Sequence, residues 1–192
     1  SITDAVREPH AVAASNWHAM ARWAGRQFSR GSAVLIDIGS TTTDLIPLSE
    51  GQVHAAGKTD LARLQFGELV YTGVRRTPIA TLISELPYQG TLCGVARETF
   101  ATTLDVYLTL DQWPEDTGDC ATADSRPATK AAARRRLARM LCLDQDDLTL
   151  EDCLAMAAAV MESQLNLLEK SLARVLKRQA ATNAYAILSG CG

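Results

Sequence analysis

No C-x-x-C pair and no regular cysteine spacing occur in this chain. Cys93, Cys120, Cys142, Cys153 and Cys191 are odd in number and scattered, which excludes a disulfide framework and a cysteine zinc site. They read as free thiols in a reducing compartment, so a cytoplasmic location is expected. An excess of charge of one sign is also missing. With 19 Lys and Arg against 22 Asp and Glu, the net charge is -3, and nothing suggests a nucleic-acid partner. The densest basic run, Arg134-Arg135-Arg136, falls in a helical pattern whose adjacent positions point in different directions, and it reads as a solvated face. No stretch approaches the roughly 20 apolar residues that cross a bilayer, and the start has no apolar signal core, so no membrane is expected. Neither G-x-x-x-x-G-K-[ST] nor G-x-G-x-x-G occurs, which leaves P-loop and Rossmann readings unsupported. No repeat or linker marks an internal boundary. At 192 residues and 47% hydrophobic, the chain can bury a core of its own, and a single domain over 1–192 is expected.

Within this ordinary composition, patterned segments stand out. After Pro9, residues 10–28 repeat apolar side chains at Ala13, Trp17, Met20, Ala24 and Phe28, a helical stripe. Gly31-Ser32 stops it. Residues 33–38 follow as a continuous apolar run with β-branched members, the mark of a strand buried on both faces. Strands over 45–48 and 53–56, joined across Ser49-Glu50-Gly51-Gln52 with a positive φ expected at the glycine, complete a three-stranded meander. Between 58 and 126 glycine and proline recur, which predicts loops, short helices and short strands. A helix is expected over 129–141 with Leu137, Met140 and Leu141 inward. Thr149 and Asp152 form a capping-box-like start. The helix that follows is about 30 residues and on the order of 45 Å long. Its Leu154, Ala158, Met161, Leu165, Leu168, Leu172 and Val175 recur at steps of four and three, and this seam reads as the buried side of a core helix rather than a coiled coil. A last strand is expected over 184–188 after Asn183.

The segment that carries chemistry is Asp37-Ile38-Gly39-Ser40-Thr41-Thr42-Thr43-Asp44, between the first two strands. Gly39 lets the backbone bend and a phosphate approach, and Ser40, Thr41, Thr42 and Thr43 offer hydroxyls beside backbone N–H groups, an anion cradle. Asp37 and Asp44 would bring two negative charges toward the same phosphate, which makes sense if both serve as ligands of a hard divalent cation such as Mg2+. The alternative is a hairpin turn whose hydroxyls satisfy only local backbone. Four consecutive hydroxyl residues flanked by acids are uncommon in such a turn, which favours the functional reading.

This segment resembles the second phosphate motif of the sugar kinase/actin/heat-shock ATPase superfamily, in wording close to its hydantoinase/oxoprolinase branch. The strand ending in Ser189-Gly190-Cys191-Gly192 resembles the adenosine motif of that superfamily, which implies nucleotide binding at Gly190 and Gly192. Further segments are similar to proteins linked to tetrahydromethanopterin-dependent one-carbon transfer. They are Ala13-Ala14-Ser15-Asn16-Trp17-His18-Ala19, Gly57-Lys58-Thr59-Asp60-Leu61, Glu68-Leu69-Val70-Tyr71-Thr72-Gly73-Val74-Arg75-Arg76-Thr77-Pro78 and Ala121-Thr122-Ala123-Asp124. That family includes an archaeal enzyme of methanofuran biosynthesis which joins an aminomethylfuran diphosphate to a glutamyl-tyramine and displaces pyrophosphate. The resemblance implies an α/β fold: an actin-like ATPase (ribonuclease H-like) domain with a mixed sheet and a long helix, plus an irregular α+β insertion over 58–126. It also implies a small-molecule phosphate ester as substrate, Mg2+, ATP as a further candidate cofactor, and two lobes closing on the ligand. The first phosphate motif of the superfamily is not found before Asp37, so an N-terminal lobe is expected as a missing partner, and self-association is expected through the face it would cover.

Other residues admit two readings. Asn16 and His18 lie off the stripe of their helix, either as substrate-binding groups in a cleft or as surface groups. Arg75 and Arg76 either clamp phosphate or stand before a turn. Asp124 either accepts a substrate amine or hydroxyl or closes an Asx-turn, and Asp60 reads as the structural case. Glu68 and Tyr71 share a face if that stretch is helical, with Tyr71 packing. Trp17, Trp23 and Trp113 read as core or interface anchors. Two function classes remain. One is an enzyme, a diphosphate-displacing transferase or an ATP-dependent hydrolase or phosphotransferase. The other is a non-catalytic nucleotide-binding-like interaction module.

Overall fold

The structure is a computed structural model, and it describes residues 16–179 and 183–191. In chain order the elements are α1 (Asn16–Gln27), β1 (Ser32–Ile38), β2 (Thr43–Ser49), β3 (Gln52–Val53), α2 (Asp60–Phe66), β4 (Leu69–Val70), β5 (Glu85–Tyr88), β6 (Thr91–Gly94), α3 (Thr103–Thr109), α4 (Lys130–Arg139), α5 (Leu150–Gln179) and β7 (Tyr185–Gly190). Residues 10–15 of the expected first helix, the Ala13-Ala14-Ser15 part of the family-like segment, and Gly192 lie outside the described residues. Where the sequence shows no internal boundary, the chain divides into two compact units, one of Ser1–Tyr71 with Leu168–Gly192 and the other of Thr72–Leu167.

The first unit is a mixed sheet in the order β3-β2-β1-β7, with β4 also beside β2. β1 runs antiparallel to β2 and parallel to β7. The continuous apolar run of β1 is explained by cover on both faces. Ala33 and Leu35 join Ile46, Leu48, Ala21 and Ala24 on the α1 side, while Val34 joins Leu45, Val70 and Val175 on the side of α5, with Leu168, Leu172 and Leu176 packed around them. The β2–β3 turn has Glu50 at φ 48 and Gly51 at φ 74, the two positive values that a two-residue hairpin needs. α1 presses on this turn so closely that a Cβ on Gly25 would stand 2.3 Å from the Gly51 carbonyl oxygen. The buried stripe of α1 is therefore Ala21, Ala24 and Gly25, and Met20, expected inward, is exposed. Trp23 is exposed too, whereas Trp17 packs against the core.

The second unit buries Ile79, Leu86, Val106, Leu137, Met140, Met156, Ala157 and Val160 together. Leu137 of α4 and Met140 just after it point inward as expected, and Thr149 and Asp152 make the reciprocal cap of α5. Two expectations are corrected here. Along the first half of α5 the inward side is Cys153, Met156, Ala157, Val160 and Gln164, while Leu154 and Leu165 are 38% and 48% exposed. Small residues let the helix approach the core closely, and a pattern weighted by leucine selects the opposite side. The basic run is not simply a solvated face either. Arg136 is fully buried, with Nε 2.7 Å from Asp105 Oδ1 and Nη1 2.8 Å from Asp124 Oδ1.

Candidate functional site

Strand register sets the site. Asp37 stands directly opposite Asp44 on one side and Ser189 on the other, and such cross-strand partners share a face of the sheet. This is the face that Ala33, Leu35, Ile46 and Leu48 line further along, under α1. The acids thus continue a buried stripe at the end where α1 begins with Asn16 and Trp17. The turn between them is closed by a hydrogen bond from the Gly39 N–H to the Thr42 carbonyl, 2.9 Å. A Cβ on Gly39 would lie 3.2 Å from the Thr42 oxygen, so glycine serves close approach within the turn. Ser40, Thr41 and Thr42 are partly exposed and the Ser40 and Thr41 hydroxyls lie 3.4 Å apart. Thr43 is different: it begins β2 and is fully buried.

Asp44 is not a bare ligand. Its Oδ1 accepts from Nη2 of Arg63, a side chain only 2% exposed, which also donates to the Glu68 carbonyl at 3.3 Å. The guanidinium lies over the Trp17 ring, 4.1 Å from its centroid, a favourable cation–π geometry. Burial pushes the Asp44 carboxyl up, Arg63 pulls it down, and Asp37 and Asp60 push it up again. Sequence reasoning missed Arg63. An arginine in a short helix reads as surface, and its acid partner is 19 residues away. The available signal was the Gly57-Lys58-Thr59-Asp60 segment. Thr59 caps α2 by accepting from the Ala62 N–H, Asp60 Oδ1 lies 3.6 Å from Arg63 Nη1, and a Cβ on Gly57 would stand 2.6 Å from the Arg63 nitrogen. Glu68 is buried, accepting from the Ala56 and Gly57 N–H groups at 2.8 and 2.9 Å. Since β4 follows it, Glu68 shares no helix face with Tyr71, which is 69% exposed and packs on little.

Gly190 has φ 103, and a Cβ there would stand 2.1 Å from the Ile38 carbonyl oxygen. Glycine is thus required by the β1–β7 backbone contact itself. Asn16 and His18 are exposed on α1, with His18 edge-on to Trp17 at 5.4 Å. Arg75, Arg76 and Asp124 belong to the second unit. Arg75 pairs with Asp119 and lies 5.9 Å from the Trp113 ring centroid, whereas Arg76 is exposed. Asp124 is held by Arg136, and its Oδ1 also accepts from the Arg126 N–H at 3.2 Å, while the buried Oδ2 has no hydrogen-bond partner among the described residues. Much of the segment 72–77 is structural. Thr103 and Gln164 donate to the Gly73 carbonyl at 2.8 and 3.0 Å, Thr77 accepts from the Gly73 N–H, and Tyr107 donates to Gln164. A separate cavity of about 540 Å³ in the first unit is lined by residues such as His54, Glu68, Arg178 and Gln179, and includes none of the residues expected for the site.

The family model described as hydantoinase/oxoprolinase matches residues 1–192. The chain belongs to the hydantoinase/oxoprolinase family. Two relatives carry the name (4-{4-[2-(gamma-L-glutamylamino)ethyl]phenoxymethyl}furan-2-yl)methanamine synthase. The one from Methanocaldococcus jannaschii is 34% identical over 181 residues, covering 94% of this chain and 54% of its own length. The one from Methanococcus vannielii is 33% identical over 161 residues, covering 84% of this chain and 71% of its own length. The chain thus spans about half of the first relative. Among the described residues no helix of this hydantoinase/oxoprolinase chain is long and apolar enough to cross a membrane.

Proposed function

We propose that this chain is the diphosphate-binding part of a cofactor-biosynthesis synthase built on an actin-like ATPase (ribonuclease H-like) fold. The observation that carries the reading is the end of the sheet, where Asp37 faces Asp44 and Ser189 across the strands and a hydroxyl-bearing turn links the acids. The names of the relatives describe a product in which a glutamyl-tyramine phenol is joined through an ether to an aminomethylfuran, and the diphosphate as leaving group is part of the proposal. In the reaction, the phenol oxygen of a glutamyl-tyramine attacks the methylene of an aminomethylfuran diphosphate. A C–O ether bond forms, the C–O bond to the diphosphate breaks, pyrophosphate leaves with the electron pair, and the phenol proton goes to solvent or a base.

The donor set fits Mg2+ of the kind that arrives with phosphate, which needs only one or two carboxylates beside phosphate oxygens and water. Among the described residues there is no group of three or more His, Cys, Asp or Glu side chains placed to cage a metal. Asp37 is the carboxylate that would hold the cation directly, with Asp44 behind it in the grip of Arg63. When bound, the cation supplies positive charge against the departing pyrophosphate. The chain itself contributes the Ser40–Thr42 hydroxyls and turn N–H groups, which orient the diphosphate, and the strand register, which fixes the acids.

The test is incubation of the full-length protein with the furan diphosphate and glutamyl-tyramine, and separately with ATP. Pyrophosphate release with ether formation is expected. Phosphate release from ATP alone would replace this reading with the ATP-dependent hydrolase or phosphotransferase, and release of neither would leave a non-catalytic module.

A further inference from the structure

We infer that Arg63 is a positioning residue of the diphosphate site: by holding Asp44 it cancels one of two opposed carboxylates, so that Asp37 alone faces a metal and phosphate oxygens can approach. The inference rests on the functional reading of that end of the sheet. Opposed acids on neighbouring strands repel, and a pair left bare favours taking up a proton or a second cation. A guanidinium removes that tendency because it stays charged at every accessible pH. Its place is set from several sides. Thr59 caps the helix, the Gly57 backbone lies where no side chain fits, the Trp17 ring lies 4.1 Å from the guanidinium carbon, and the Glu68 carbonyl accepts from Nη2 at 3.3 Å. Packing alone does not call for it. Nε of Arg63 is buried without a hydrogen-bond partner among the described residues, which is costly, and a buried ion pair replaced as a whole by apolar side chains is often as stable.

The experiment titrates the full-length protein with Mg2+ alone, with pyrophosphate alone and with pyrophosphate at saturating Mg2+, as wild type, Arg63→Met, Arg63→Lys and Asp44→Asn. Without the guanidinium the two acids stand bare, so Arg63→Met should bind Mg2+ alone about tenfold more tightly and pyrophosphate about tenfold more weakly. Loss of structure moves both in one direction. Arg63→Lys, which keeps the charge but loses the planar fork stacked on Trp17, should shift both ligands in the same directions as Arg63→Met by a smaller factor. Circular dichroism reports folding. Should Arg63→Met not fold, Asp44→Asn decides, because freeing the guanidinium should weaken Mg2+ binding about tenfold and strengthen pyrophosphate binding without metal. A folded Arg63→Met that shifts both ligands alike or neither, or an Asp44→Asn that changes neither, overturns the role of Arg63 and leaves the site standing. Wild type that binds neither ligand overturns the functional reading and this inference with it.

Discussion

A fully buried guanidinium has to be matched by acids, and among the described residues this happens at Arg63 with Asp44 and at Arg136 with Asp105 and Asp124. The Arg136 cluster joins α4 to α3 and to the loop carrying Asp124, with Arg136 fully buried and the Asp105 side chain 1% exposed. Arg136→Met should therefore cost about 3–5 kcal/mol, because two carboxylates lose their cation together. Urea unfolding measures it as a lower midpoint, and a change under about 1 kcal/mol would show that the cluster can be replaced by packing. At this scale a candidate site is legible where acidic and hydroxyl residues are concentrated in one run. Asp37 through Asp44 could be picked out because unusual residue types adjoin. Arg63 and Arg136 could not, since charge in a helix reads as solvated until a partner 19 or 31 residues away is placed beside it. Asp124 was seen, but its carboxylate is engaged by Arg136.

Elements were legible in proportion to the regularity of their pattern. β1, β2, the long helix and the final strand lie close to the expected spans, whereas the third strand, expected over 53–56, is Gln52–Val53; burial in β1 and β2, a capping box at α5 and a positive-φ turn each leave a local mark. The orientation of α5 was less legible. Its inner side in the second unit relies on Ala157, Cys153 and Gln164, residues that hydropathy ranks below the outward Leu154 and Leu165. The start of α5 carries a pH dependence. Hydrogen bonds from the Thr149 hydroxyl and N–H hold the Asp152 carboxyl below its ordinary value. A depressed carboxylate contributes stability that is present above the unfolded value, about 4, and lost as pH falls through the folded one. Stability followed by thermal unfolding from pH 6 to pH 2 should fall more gently in Asp152→Asn than in wild type. Parallel acid limbs would show that the cap contributes nothing.

For the molecule as a whole, the candidate site lies at one end of one sheet. The first unit brings the Asp37–Asp44 turn and Gly190 together, while Arg75, Arg76 and Asp124, read from sequence as further ligand contacts, belong to the other compact unit and are described within it. That division was illegible because no linker, repeat or change of composition marks it, and one continuous helix, α5, contributes residues to both units. The central claim is that Asp37 and the hydroxyl turn bind a diphosphate with its metal. It is tested most directly by calorimetric titration of the full-length protein with pyrophosphate in Mg2+, before and after Asp37→Asn. The account predicts an affinity lower by about tenfold or more with folding intact, because the change removes the charge a cation needs while keeping the size of the side chain. Equal affinity in the two proteins would contradict it.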